Sequence, residues 1–449
     1  MSNLFSRWRQ KPPFSKDGKL FGRATLDEQR KIEMLLFRSS AADAEFGFHT
    51  IALLLLLLCM VMVESSAQGG GFDVVEFGAV GDGETDDSKA FQKAWKEVCG
   101  STSNENSSLL VPKGKTFLLK TALFEGPCKS PSINFQVLGN IIAPIKKDFG
   151  NGTRFWLVFS KVDGLIVNGD GDVDGNGPSW WAICGKVLTI NSCRNLQVSE
   201  LRITNAPQNH ISMTNCADIT ISNINITTPG TVPNTDGIDI SLSTRVTIQD
   251  SVIKTGDDCI ALNTGCSYVN ITGVHCGPGH GISIGSLGKD GSKGTVEEVH
   301  VVNCTFFGTQ NAARIKTWQG GSGFAKNILF KDITLVESKN PILINQYYCD
   351  GSKNCKNQTS AVKISDISFI GFTGTSASRA AVQLLCSESV GCNRLVLDGI
   401  SITASANAGG GKDGYISSKC INAHGTSSAS NMPSVPCLLP NEDDKPLHS

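Results

Sequence analysis

From about residue 160 onward, apolar and polar positions follow one recurring scheme. "CRNLQVSELRIT" (193–204), "CADITISNINIT" (216–227), "TRVTIQDSVIKT" (244–255) and "CSYVNITGVHC" (266–276) each hold two short alternating runs around a polar or glycine kink. "VEEVHVVNCTFFGT" (296–309), "AKNILFKDITLVES" (325–338), "AVKISDISFIGFTG" (361–374) and "CNRLVLDGISIT" (392–403) repeat it, with starts 22 to 36 residues apart. Alternation with period two predicts strands. A repeat of two or three short strands without a helix predicts stacked coils, because one coil cannot bury its apolar face alone. A β-sandwich would not keep this period. "DDSKAFQKAW" (86–95) instead predicts a helix with Ala90, Phe91 and Ala94 on one face. Such a helix would cover the open edge at the start of the solenoid. The expected class is all-β: a single-stranded parallel β-helix with a short N-terminal capping helix.

Composition adds a compartment. The 449 residues carry a net charge of −1, so no global field selects nucleic acid or membrane, and 16 cysteines point to an oxidising environment. The apolar run Ile51–Val63 has 13 residues, short of the about 20 that span a bilayer. "ESSAQ" follows, so residues 51–67 read as a signal peptide cleaved near Ala67, with a membrane-retained signal anchor as the alternative. Residues 1–50 form an atypical extension, 68–440 the solenoid domain and 441–449 a tail. Removal of the leader with Cys59 leaves fifteen cysteines, hence at least one free thiol. Six N-x-S/T sequons, at Asn106, Asn151, Asn225, Asn270, Asn303 and Asn357, fit secretion.

Candidate chemistry lies where the coils stack. "DGIDISL" (236–242), "DCIALNT" (258–264), "HGISIGS" (280–286) and "ARIKTWQ" (313–319) align on Ile238, Ile260, Ile282 and Ile315. Asp236, Asp258 and His280 then share one position on three successive rungs, spaced ~4.8 Å, with Asp257 beside them. Alternation points Arg314 and Lys316 outward, around inward Ile315. It also gives Asp236 and Asp258 the parity of the buried isoleucines, so they reach the surface only if they sit on bends before their strands. Crowded carboxylates resist simultaneous ionisation, which keeps one protonated beside an ionised neighbour. Glycoside hydrolysis requires that pair. Taken singly, each residue has a structural explanation: turn aspartates cap backbone donors, and a histidine beside glycine packs. Three in register with two cations alongside favour a site. A calcium site would also use carboxylates, but Arg314 and Lys316 suit an anionic substrate.

In order along the chain, "NTD" (234–236), "GDDC" (256–259), "GHG" (279–281) and "RIK" (314–316) resemble the motifs of glycoside hydrolase family 28, above all its plant polygalacturonases. "VVEFGAVGDGETDDSKAFQKAW" (74–95) and "GDGDVDGNGPSWW" (169–181) resemble further landmarks of the plant members, so the likeness covers 72–440. The resemblance implies a right-handed, pectin-lyase-like parallel β-helix that hydrolyses α-1,4-galacturonan with inversion. By matching position, Asp257 would be the general acid, Asp236 and Asp258 would activate water, and His280 would support the acid. Arg314 and Lys316 would bind the galacturonate carboxylate, and Tyr348, or else Tyr347, would contact the sugar. No metal or organic cofactor is implied; the partner is a polyanionic polysaccharide, and the mature chain is a secreted monomer away from membranes. The family pattern further implies bridges Cys259–Cys276, Cys349–Cys355, Cys386–Cys392 and Cys420–Cys437. Related enzymes on decorated pectin, a non-catalytic pectin binder and a calcium-dependent lyase are the alternatives.

Overall fold

Alternating runs became strands, and the kinks between them became turns. In the computed structural model, eleven strands, one per coil, form a parallel sheet. Six of them position the site: Lys186–Asn191, Ile211–Thr214, Ile238–Ser241, Ile260–Leu262, Ile282–Leu287 and Asn311–Trp318. The structure describes residues 71–102, 107–145, 154–179, 181, 185–350, 355–406 and 415–441. The extension 1–50 and the leader 51–67 lie outside these residues.

The kink has one physical cause. Glu200, Asn223, Asp250, Gly273, Asn303, Asp332, Gly371 and Gly399 occupy equivalent corners of successive coils, with φ between +50° and +68°. Glycine adopts this left-handed conformation freely, and asparagine and aspartate tolerate it best among the others. At each corner the chain passes from one ladder to another, as from Thr244–Gln249 to Val252–Lys254, and both ladders pair in parallel with the coils above and below. The sequence showed two runs in each repeat and a third in four coils; with the eleven-strand sheet every coil has three sides. This is the right-handed parallel β-helix expected, and every inward position stacks on its like. Ile238, Ile260 and Ile282 are paired in register and wholly buried, each contributing roughly 2 kcal/mol by leaving water.

The helix Ser88–Gly100 buries Ala90, Phe91, Ala94, Trp95 and Val98. Its aromatic residues meet the first coils edge-on: Trp95 lies 5.3 Å from Phe124, and Phe91 5.4 Å from Phe117. It closes the apolar stack at that end. All four expected disulfides are present, with a fifth, Cys99–Cys128, tying the helix to the first coils. Cys193, Cys216, Cys266 and Cys304 are buried free thiols. Among the described residues no helix is long and apolar enough to cross a membrane. The four described sequon asparagines, Asn225, Asn270, Asn303 and Asn357, are exposed and lie off the eleven-strand sheet.

Candidate active site

Asp236, Asp257, Asp258 and His280 all precede strands of the eleven-strand sheet, on bends. Ile238 pairs with Ile260 and Ile260 with Ile282, so Asp236, Asp258 and His280 stack in one row. Main-chain bonds continue to join the coils at the bends: Gly237 N–H donates to Asp258 O and Cys259 N–H to Gly281 O, both at 2.9 Å. Gly256 makes the bend possible. A Cβ there would collide with the Val232 carbonyl, and its N–H is held by Thr235 Oγ1 at 2.9 Å. The bend resolves the parity conflict. Asp258 is only 1% exposed, yet its carboxylate turns to the outer face of the sheet. There it accepts from Arg314 Nη2, from Ser283 Oγ at 2.9 Å and from Lys316 Nζ at 2.7 Å. Three hydrogen-bonded groups thus compensate the cost of burying this charge.

The fourth coil departs from the expected alignment. Ile282 pairs with Ala313 and Ile284 with Ile315, so Ile315 sits one pleat further along than the sequence alignment placed it. A shift of two residues preserves which side chains face inward, so alternation alone does not detect it. Its consequence is chemical: Arg314 stands opposite Ser283, and its Nε donates to Ser283 Oγ at 2.8 Å.

Asp257 lies beside this row. Its Oδ1 accepts from Asp258 N–H at 2.9 Å and from His280 Nδ1 at 2.8 Å. With a carboxylate as acceptor, Nδ1 carries the ring proton. Burial pushes the Asp236 carboxyl well above the usual range, and the charges of Asp258 and Asp257 push it the same way. Burial also favours the neutral form of Asp257. There the His280 hydrogen bond and the charges of His280, Lys316 and Arg314 prevail, so its carboxyl is lowered. In the unliganded site the carboxyl most prone to hold a proton is therefore Asp236, whereas the sequence pointed to Asp257.

Lys316 lies 5.3 Å from the Tyr348 ring centre, and Tyr348 meets Trp318 edge-on at 5.4 Å. The Tyr347 hydroxyl instead donates to Cys386 O at 3.0 Å. Tyr348, not Tyr347, borders the cations. Sequence reasoning missed Ser283 and Asn311. Asn311 is 2% exposed, donates to His280 O at 3.1 Å, and accepts from Asn340 Nδ2 at 3.1 Å. Under the sequence alignment the row Asp236–Asp258–His280 continues to Ala313; only the observed register places Asn311 there. Ser283 needed the true register.

Asp257, Asp258 and His280 bring potential metal-ligand atoms within 4.8 Å of one another. Both Asp258 oxygens are bound by cations, and Asp257 Oδ1 by two donors. A divalent ion would have to displace Arg314 and Lys316, so the donor set does not fit one.

Three-sided solenoid and clustered acids together define a β-helical glycosidase. The chain belongs to glycosyl hydrolases family 28, whose sequence description matches residues 99–430. It is 47% identical to a probable polygalacturonase of Arabidopsis thaliana over 82% of this chain and 80% of that protein. It is 38% identical to polygalacturonase-2 of Solanum lycopersicum, over 84% and 83% of the two chains. Among solved structures, the endo-xylogalacturonan hydrolase of Aspergillus tubingensis superposes with a TM-score of 0.68 at 27% identity, covering 79% of this chain and 98% of that one.

Proposed function

We infer that the chain is a secreted polygalacturonase, hydrolysing α-1,4-galacturonosidic bonds of pectin in the plant cell wall with inversion. One observation carries this: Arg314 and Lys316 are held on a three-carboxylate cluster with donors to spare. Arg314 uses Nε and Nη2, and Lys316 uses one of its three ammonium protons. The remaining N–H groups suit the planar carboxylate of a uronic acid.

In this mechanism Asp257 protonates the leaving glycosidic oxygen through Oδ2, because Oδ1 is taken. Asp236 and Asp258 orient and deprotonate the attacking water, and His280 holds Asp257 in place. Substrate supplies the missing protonation. Its carboxylate neutralises Arg314 and Lys316, whose charges lower Asp257 in the free site. Once they are neutralised, burial favours the acid form of Asp257. The proton that Asp236 holds in the free site moves to it, which leaves Asp236 ionised to take the proton of the water.

The test is reducing-end release from polygalacturonate in EDTA, with absorbance monitored for unsaturated product. Hydrolysis undiminished by EDTA and without such product is expected; calcium dependence or unsaturated ends would mean a lyase. The likeness to a xylogalacturonan hydrolase favours a second reading, xylose-decorated galacturonan. Rates on the two polymers decide between them.

A further inference from the structure

The row that holds the acids extends beyond them. Strand register places Lys186, Asn209, Asp236, Asp258, His280, Asn311 and Asn340 at one position on seven successive coils, every member polar. Lys186 stands two rungs from Asp236, about 10 Å along the sheet. It is half-buried, and its ammonium donates to Ser212 Oγ at 2.8 Å. Among the described residues no carboxylate lies within ion-pair distance of it, unlike Lys113, Lys120, Lys161 and Lys326, which each have an acidic partner. The nearby Asp239 accepts from Asn209 and Asn263, one donor on each oxygen at 3.1 Å. Lys186 does reach Asp239 through space, opposing the upward push that burial exerts on that carboxyl.

We propose that Lys186 and the Ser212 hydroxyl form a second uronate-binding site on the same face, for the carboxylate of a sugar removed from the cleaved bond. The proposal rests on the galacturonan-hydrolase reading and deepens it. A polymer with a carboxylate on every sugar presents anions at regular intervals along this row. Half-buried Lys186 feels Asp239 only at longer range and has no carboxylate in direct contact, so a bound carboxylate would add a charge-assisted hydrogen bond that the empty protein lacks. Lys186 would then favour de-esterified over methyl-esterified stretches, since an ester gives it no charge to pair.

kcat/KM for Lys186→Gln and Lys186→Arg is to be measured on oligogalacturonates of increasing length and on polygalacturonate. The loss in the glutamine variant should grow with chain length, to about tenfold on polymer relative to the shortest substrate cleaved, and arginine should restore most of it. A loss of equal size at every length would mean that Lys186 merely balances Asp239, and no loss at any length would mean that it binds nothing; either overturns the proposal. If the unsubstituted chain releases no reducing ends from polygalacturonate, the parent reading falls, and this one with it. If it does, only the Lys186 site is at stake.

Discussion

Asp257 and Asp236 differ in the donors and cations that face them. His280 donates to Asp257, whereas Asp236 has only acids and burial acting to raise its carboxyl. The roles proposed for them separate by leaving group. An aryl galacturonide whose leaving group needs no proton should restore much of the activity of Asp257→Asn but little of that of Asp236→Asn. Each variant should lose about 100-fold or more on polygalacturonate. Rescue of Asp236→Asn alone would exchange the two assignments. The paired acids were legible in "NTD" and "GDD", because carboxylates at bends have few other uses in such number. The protonation order was not, since it depends on Nδ1 of His280, 23 residues away.

At the scale of the coil, the bend at Gly256 turns two adjacent aspartates to one face. Thr255 Oγ1 donates to Asp257 O at 3.0 Å, and the disulfide Cys259–Cys276 ties the strand that follows to the next coil. Gly256→Ala should force the bend away from the Val232 carbonyl and misplace Asp257. An effect on kcat of about 100-fold is expected from a displacement near 1 Å, with KM less affected; unchanged kcat would show that the bend has slack. Periodicity predicted the strands and the capping helix, because inward positions must be apolar on every coil. It did not predict the fourth-coil register, since a slip of two residues leaves every side chain on its own face. Nor did it predict Cys99–Cys128, which joins segments outside the repeat.

For the molecule as a whole, acid stability depends on a histidine that takes no part in the chemistry. His210 is wholly buried; its main-chain N–H and Nδ1 both donate to the Asp236 carbonyl at 2.9 Å, and Nε2 accepts from Thr228 Oγ1 at 2.7 Å. Burial lowers it to about 4, from 6.5. Between those values the unfolded chain binds the proton and the folded chain does not. Its contribution is therefore complete above about pH 6.5 and is lost as pH falls toward 4, on the order of 3 kcal/mol. Asp236, with its raised carboxyl, acts in the opposite sense, so the comparison must isolate His210. Denaturant midpoints of the unsubstituted chain and of His210→Gln at pH 7 and pH 4.5 should show a smaller pH effect in the variant. Equal pH effects would refute the assignment.

The sequence by itself determined the solenoid, its cap and the identity of the acid and cation sets. Each of these is written in residues of fixed type at recurring positions, and a strand period or a like-charge pair needs no partner to be seen. Only the tertiary structure decided which groups pair. It brought Arg314 and Lys316 onto Asp258, His280 onto Asp257, and Lys186 into the row of the acids. Those contacts span 23 to 58 residues of chain, or several rungs of register. Such distances in space follow from how coils of unequal length stack, which no local pattern records.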